Sequence, residues 1–230
     1  MSFRKLITLS FDDGTIQDRR LVEILNRYGI KCTFNLCSGR LGFTATTELS
    51  GRIVDTTKVE PSEVATLYAG HEIAVHTVTH PDLTKLNEDE IVRQIMEDKE
   101  TLESLSGTEV VGMAYPYGGY DEMVLQILEQ ETPLLYARTA TSSNNFEIPQ
   151  RFTVWHPTCH FGQDTFFDLA DAFEKAEPEK DMLFYIWGHS YELDGGDGRW
   201  EGFEEKCKRL ASMEGVTFVT NREAYELLNV

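Results

Sequence analysis

Short apolar runs alternate along the chain with segments whose hydrophobic residues recur at helical spacing. The first run, L-I-T-L-S-F at 6–11, is followed by Leu21, Ile24, Leu25 and Tyr28, at i, i+3, i+4 and i+7. Further strand-length runs lie at 32–37, 71–75, 110–114, 134–140, 182–187 and 216–219, and helical patterns at 87–106, 121–130 and 203–213. The longest irregular stretch is expected at 38–60. The alternation predicts a barrel-like α/β fold of about seven parallel βα units, most simply a single domain over residues 1–230.

The net charge of the chain excludes some classes of binding partner. With 21 basic and 39 acidic residues among 230, the formal charge is −18 with histidine neutral. Such a chain repels polyphosphates, so we expect neither nucleic acid nor an anionic membrane as a partner.

The four cysteines form no C-x-x-C pair and are expected to be reduced and mostly buried. The apolar stretch near the N-terminus is too short for a signal-peptide core, which favours a cytoplasmic protein. The sequence does not specify an oligomeric state.

Polar residues cluster where the predicted strands end. Because the carboxyl ends of parallel strands face one rim of such a fold, residues placed there are expected to meet. Asp12 and Asp13 follow the first run, His76 and His80 the third, Pro116 and Tyr117 the fourth, and His189 the run at 182–187.

The motif H-T-V-T-H places His76 and His80 four residues apart, a spacing that can bring two imidazoles to one ion. Histidines at this spacing are also common without a metal. A carboxylate from a neighbouring strand end, Asp13, completes a set of two histidines and one carboxylate. Such a set leaves coordination positions open and is typical of a catalytic site.

Four motifs in this order, S-F-D-D-G, H-T-V-T-H, A-Y-P-Y-G and W-G-H, resemble those of the NodB-type polysaccharide deacetylases, carbohydrate esterase family four. The resemblance runs from about Leu6 to about Ser190. It implies a distorted (β/α) barrel of about seven parallel strands and a hydrolase that removes acetyl groups, N-acetyl or O-acetyl, from a sugar, oligosaccharide or polysaccharide.

The resemblance also implies a role for each matched residue. Asp13, His76 and His80 would hold a divalent ion, most commonly Zn²⁺, which would polarise the acetyl carbonyl. Asp12 would be the general base and His189 the general acid. The backbone N–H of Tyr117, positioned by the turn at Pro116, would stabilise the oxyanion.

The chain departs from the family pattern at two points. The third motif of the family begins with an arginine that pairs with the base, and this chain has Ala114 there. We expect Arg138, one predicted strand further on, to supply the missing charge; a solvent-facing arginine is the alternative. The residues that support the late histidine in the family have no clear counterpart, so the sequence gives His189 no orienting partner.

Other histidines and tryptophans are weaker candidates. His156 and His160, with Cys159 between them, form a second histidine pair, but Pro157 disfavours a regular helix across it. One tryptophan, either Trp155 or Trp200, is expected to form a wall of the substrate cleft by stacking on a sugar ring, although tryptophans are more often in a core.

The function that these features predict is a metal-dependent carbohydrate deacetylase. Two alternatives follow from the missing arginine and the cytoplasmic expectation. One is an amidohydrolase acting on a small non-carbohydrate amide, and the other is a catalytically weak carbohydrate-binding relative.

Overall fold

The computed structural model describes residues 3–229. The strands are β1 (Lys5–Asp12), β2 (Cys32–Leu36), β3 (Thr46–Leu49), β4 (Arg52–Asp55), β5 (Glu72–Val75), β6 (Gly112–Ala114), β7 (Tyr136–Arg138), β8 (Cys159–His160), β9 (Met182–His189) and β10 (Thr217–Val219). The helices are α1 (Asp18–Arg27), α2 (Val64–Leu67), α3 (Glu88–Ser106), α4 (Glu122–Glu131), α5 (Phe166–Lys175), α6 (Arg199–Ala211) and α7 (Asn221–Leu228).

Eight of these strands form one parallel sheet. Its order is β7-β6-β5-β2-β1-β9-β8, and β10 pairs with the first half of β1. The sheet curls into a half-barrel with helices around it, which confirms the predicted fold class. None of the described helices is long and apolar enough to cross a membrane. All four cysteines are buried and unpaired, as expected.

Strand β1 lies inside the sheet between β2 and β9, and almost every residue in it is buried. It pairs with β2 on one side and with β9 along its whole length on the other. In this register Asp12 lies directly between Asn35 of β2 and His189 of β9. Three polar side chains therefore stand in one row at the carboxyl end of the three central strands.

The stretch at 38–60, expected to be irregular, contains the antiparallel hairpin β3–β4. The turn residues Ser50 and Gly51 both have positive φ, at 51° and 76°, which suits a tight two-residue turn between twisted strands. Each strand has only four residues with at most two adjacent apolar side chains, so no apolar run of strand length marked them in the sequence. The two-residue strand β8 was missed because it is too short to form such a run.

Capping side chains mark the starts of α3 and α7, whereas no side-chain cap marks the start of α6. Asn87 accepts a hydrogen bond from the N–H of Glu90 and begins α3 where expected. Helix α6 begins at Arg199, four residues before the predicted start at 203. The final helix, α7, was not predicted, although Thr220 and Glu223 form a capping box at its start.

Candidate active site

The residues predicted at the strand ends converge on one cavity of about 380 Å³ at the carboxyl rim of the sheet. The structure thus brings together groups from four separate strand ends, as the parallel topology predicts. The cavity is lined by Asp12, Asp13, Arg40, His76, His80, Tyr115, Tyr117, Gly118, Arg138, Ala140, Trp187, His189 and Tyr191.

Backbone conformation at this rim is unusual. Asp13, Thr77, His80 and Tyr117 have φ values between 59° and 81°, in the left-handed region that side chains other than glycine seldom adopt. Such conformations persist where the surrounding structure enforces them, and they cluster at functional sites. The strained turns fix the direction in which both the Asp13 carboxylate and the His80 imidazole point.

Asp13, His76 and His80 each offer a ligand atom, and these atoms lie within 4.8 Å of one another. The Nδ1–H of His76 donates to the carbonyl of Ala114 at 2.8 Å, which leaves Nε2 free to bind an ion. Oδ1 of Asp13 is buried and has no hydrogen-bond partner among residues 3–229. One oxygen and two nitrogen donors in this arrangement fit a divalent ion such as Zn²⁺.

The protonation states of this set also fit an ion. Burial lowers the pKa of His80 to about 4 and lowers that of His76, so both imidazoles are neutral near pH 7. Burial alone would raise the pKa of Asp13, but Lys58 and the site histidines bring it down to about 2. All three side chains are therefore in the deprotonated form that metal binding requires.

Lys58 was not identified from the sequence. Its side chain is 5% exposed, and its Nζ lies 3.5 Å from Oδ1 of Asp13. It reaches the site because the chain after the β3–β4 hairpin returns beside the end of β1. There the backbone of Lys58 forms an isolated antiparallel β-bridge with that of Thr15. A lysine in a polar, irregular stretch carries no signal that distinguishes it from a surface lysine.

Asp12 has the partner that the sequence left open. The Arg138 guanidinium donates to Oδ2 of Asp12, and Asn35 donates to Oδ1 at 2.8 Å. In the register of β6 and β7, Arg138 lies beside Ala114, where the family arginine was expected. Burial would raise the pKa of Asp12, but Arg138 above all lowers it, so the carboxylate is charged.

Arg138 is not the solvent-facing arginine of the alternative interpretation, because it is only 1% exposed. Its guanidinium lies over the Trp187 ring, 4.5 Å from the ring centroid. Packing on an aromatic face and pairing with a carboxylate both suit a buried guanidinium.

His189 also has an orienting partner, Glu192, which was not identified from the sequence. Nδ1–H of His189 donates to Oε1 of Glu192 at 2.7 Å, and Nε2 lies 3.9 Å from Oδ2 of Asp12. Burial lowers the pKa of His189, but Glu192 and Asp12 raise it above the ordinary value. The spacing H-x-x-E was the available signal.

His160 pairs with the other carboxylate oxygen of Glu192. Its Nδ1 accepts from the N–H of Gly162 at 3.0 Å, so its Nε2–H faces Oε2 of Glu192 at 3.1 Å. His160, His189 and Glu192 lie close enough together to bind an ion. However, the ring nitrogens that face Glu192 already pair with its two carboxylate oxygens. The histidine pair 156/160 does not converge, because His156 bonds instead to Thr139.

On the prediction that His189 is a general acid, a Glu192→Gln variant is expected to lower kcat about 10-fold and to move the alkaline limb of the pH–rate profile to lower pH by about one unit. An acid works only below its pKa, and losing the negative charge of Glu192 lowers the pKa of His189. The profile of kcat/KM against pH measures this. The matched control is Glu226→Gln, which removes an exposed ion pair with Arg222 on α7. An unchanged alkaline limb in Glu192→Gln would contradict the assignment.

The tryptophan prediction is wrong for both residues. Trp155 is 1% exposed and packs against Tyr136 and Tyr185, and Trp200 is 7% exposed, with its Nε1 donating to Asp194 at 2.7 Å. Neither ring can stack on a sugar, because both are needed to fill the protein interior.

Tyr117 provides the aromatic surface at the cavity mouth. Its side chain is 73% exposed, and its ring lies 4.6 Å from that of His80. Pro116 is buried and begins the short 3-10 turn that carries Tyr117. Close packing holds this turn in place, because a Cβ on Gly118 would come within 2.6 Å of Ala140. The Tyr117 backbone thus lies on a fixed turn that lines the cavity.

The fold is thus a curled α/β half-barrel in which carboxylates and histidines converge at the carboxyl rim of the sheet. The sequence profile of the polysaccharide deacetylase family matches residues 3–132, more than half of the chain. The chain belongs to the polysaccharide deacetylase family. The match ends before Arg138, His189 and Glu192, so the structure alone shows where these three lie.

Curated relatives match part of the chain. It is 34% identical over 114 residues to a peptidoglycan-N-acetylglucosamine deacetylase of Bacillus cereus, covering 49% of this chain and 36% of that protein. It is 30% identical over 122 residues to a chitooligosaccharide deacetylase of Rhizobium leguminosarum bv. trifolii, covering 52% and 49%. The matches thus span half or less of these relatives' own length.

Solved structures show the same fold. A family 4 acetyl xylan esterase from Clostridium thermocellum, in complex with a cobalt ion, superposes with a TM-score of 0.63 at 19% identity, covering 98% of this chain and 92% of that one. A family pseudoenzyme from Bacillus anthracis superposes with a TM-score of 0.58 at 16% identity, covering 97% and 66%. Because active and inactive proteins share the fold, catalysis must be argued from the side chains of the site.

Proposed function

We propose that this protein is a metal-dependent hydrolase that removes acetyl groups from an acetylated sugar or oligosaccharide. The observation that carries the proposal is the single cavity in which a metal-ligand set, a charged buried carboxylate and an oriented histidine face one another. Relatives named as deacetylases of peptidoglycan and of chitooligosaccharide support the same chemistry.

Asp13, His76 and His80 would hold the ion, which when bound polarises the acetyl carbonyl and lowers the pKa of water. Asp12 does not belong to this set. Its Oδ2 lies 3.9 Å from Nε2 of His76, beyond hydrogen-bond distance and beside the metal-ligand set. Asp12 is therefore positioned to take a proton from a water molecule that attacks the acetyl carbon.

His189 completes the reaction. Attack of water on the acetyl carbon forms one C–O bond, and the tetrahedral oxyanion is stabilised by the backbone N–H of Tyr117. The C–N bond then breaks, the electron pair leaves with the nitrogen, and His189 gives that nitrogen the proton on Nε2. Acetate and a free amine are the products, and Glu192 keeps the imidazole aligned throughout.

Removal of the ion tests the proposal with two readouts. After treatment with a chelator, acetate release from N-acetylglucosamine oligomers is expected to disappear and to return with Zn²⁺ or Co²⁺. At a free ion concentration of 100 times Kd, binding is expected to raise the free energy of unfolding by about 2.7 kcal/mol, which is measured as a higher Tm. A His80→Ala variant should lose both the stabilisation and the activity. Full acetate release from the chelated protein would contradict the proposal.

A panel of small amides, assayed beside the oligosaccharides, separates the proposal from the amidohydrolase alternative. Hydrolysis of the amides with no acetate from any sugar would replace the substrate class while keeping the roles of the site residues.

A further inference from the structure

The active-site cavity contains a cation that the proposed chemistry does not use, Arg40. The two carboxylates of the cavity already have their own cations, since Arg138 pairs with Asp12 and Lys58 with Asp13. A bound divalent ion would add further positive charge. Arg40 lines the same cavity and is not part of either pair.

Arg40 is also unusual within this acidic protein. In the part of the chain that the structure describes, it is the one arginine whose side chain makes no ion pair or hydrogen bond. Each of the other arginines makes at least one ion pair or hydrogen bond: Arg4, Arg19, Arg20, Arg27, Arg52, Arg93, Arg138, Arg151, Arg199, Arg209 and Arg222. With 39 acidic residues available, an arginine without a partner at the cavity is left free to bind a group from outside the chain.

The backbone beneath Arg40 is fixed to the metal-ligand loop. The Asp98 carboxylate accepts from the N–H of Ser38 at 2.6 Å and from the N–H of His76 at 3.0 Å. Gly39 donates to the carbonyl of Val78 at 3.0 Å, and a Cβ on Gly39 would come within 2.7 Å of that oxygen. The turn that carries Arg40 and the loop that carries the two histidines therefore hold a constant separation.

We propose that Arg40 recognises a carboxylate on the substrate, so that the preferred substrate is an N-acetylated sugar acid. The inference rests on the proposed deacetylase function and adds its substrate class. A planar guanidinium binds a carboxylate through two parallel hydrogen bonds, which orients the sugar as well as holding it. On a chain with a net charge of −18, a local cation is needed to attract an anionic substrate to the cavity.

Matched substrates test this inference. N-acetylmuramic acid oligomers carry a carboxylate that N-acetylglucosamine oligomers lack, and kcat/KM is measured for both with the metal-loaded protein. The ratio of acidic to neutral substrate is expected to exceed one and to fall about 10- to 100-fold in Arg40→Gln. Arg40→Lys should recover part of the ratio, because it restores the charge without the two-pronged geometry. The matched control is Arg52→Gln, an exposed arginine of the hairpin paired with Asp197, which makes the same charge change outside the cavity.

Equilibrium binding separates this inference from the proposed function. Binding of both oligomers to the Asp12→Asn protein is measured by calorimetry, where no turnover is needed. Tighter binding of the acidic oligomer that is lost with Arg40→Gln would support recognition, even if no acetate were released from any sugar. Equal binding of both oligomers, or an equal loss of both in Arg40→Gln, would overturn the inference and leave a measured deacetylase activity in place.

Discussion

Asp12→Asn is expected to reduce acetate release about 100- to 10,000-fold while the protein still binds its metal ion. An amide cannot take the proton of the attacking water, whereas the three proposed ion ligands are untouched. Asn35 can keep its hydrogen bond to the new side chain, whereas Arg138 loses its charged partner, so the variant is also expected to be less stable than the parent. Single-turnover acetate release, with metal binding followed by calorimetry, measures both properties.

The matched control for this variant is Asp82→Asn, which removes a partly buried carboxylate that bonds to Thr84 and Lys85 and does not line the cavity. It should retain full activity. A carbohydrate-binding protein without catalysis would be indifferent to Asp12→Asn, and so would a site in which another group takes the proton. Retention of more than about a tenth of the activity would therefore contradict the assignment of Asp12 as base.

Arg138→Gln is expected to have the second largest effect. Removing one partner of a buried ion pair destabilises a fold by about 3–5 kcal/mol, since the other charge is left uncompensated. The pKa of Asp12 should rise, because Arg138 is the main influence that now lowers it. A base works only above its pKa, so the acid limb of the pH–rate profile should move to higher pH and activity should partly recover on raising the pH.

The double variant Asp12→Asn/Arg138→Gln distinguishes pairing from general damage. If the two charges compensate each other, the double variant should have a higher free energy of unfolding than Arg138→Gln alone. Arg151→Gln is the surface control, because the Arg151 side chain is 42% exposed and pairs with Glu129. Exposed pairs contribute about 0–1 kcal/mol, so the control should unfold almost like the parent. Equal losses in Arg138→Gln and in the double variant would exclude the pair as the cause.

Elements with a strong local signal were predictable from the sequence. Helix α3 begins at its asparagine cap because the cap and the first helical N–H groups are neighbours in the chain. Strand β1 was predictable because its apolar run spans almost its entire length. The β3–β4 hairpin was not, since its two strands are short and mostly exposed and only their mutual pairing defines them.

The tryptophans show why residue type alone does not locate a binding surface. Trp155 and Trp200 were candidates because indoles can stack on sugars, yet both fill the interior. Trp187, which does line the cavity, supports the guanidinium of Arg138. Whether an aromatic ring faces a cleft or a core depends on which neighbouring elements pack against it, and one segment of sequence does not carry this information.

The sequence by itself determined the order of the βα units and the residues at each strand end. Asp12, Asp13, His76, His80 and His189 could be placed at one rim, because parallel strands fix the edge at which their carboxyl ends lie. The partners of these residues were decided only by the tertiary structure. Three strands lie between β7 and β1, so in a flat sheet Arg138 would be about 19 Å from Asp12, four steps of about 4.8 Å. Curling of the sheet brings the two side chains together although they are 126 residues apart. Similarly, the chain after the hairpin brings Lys58 to Asp13. Hydrophobic spacing records which residues are buried, but which buried charges meet depends on how the whole sheet bends.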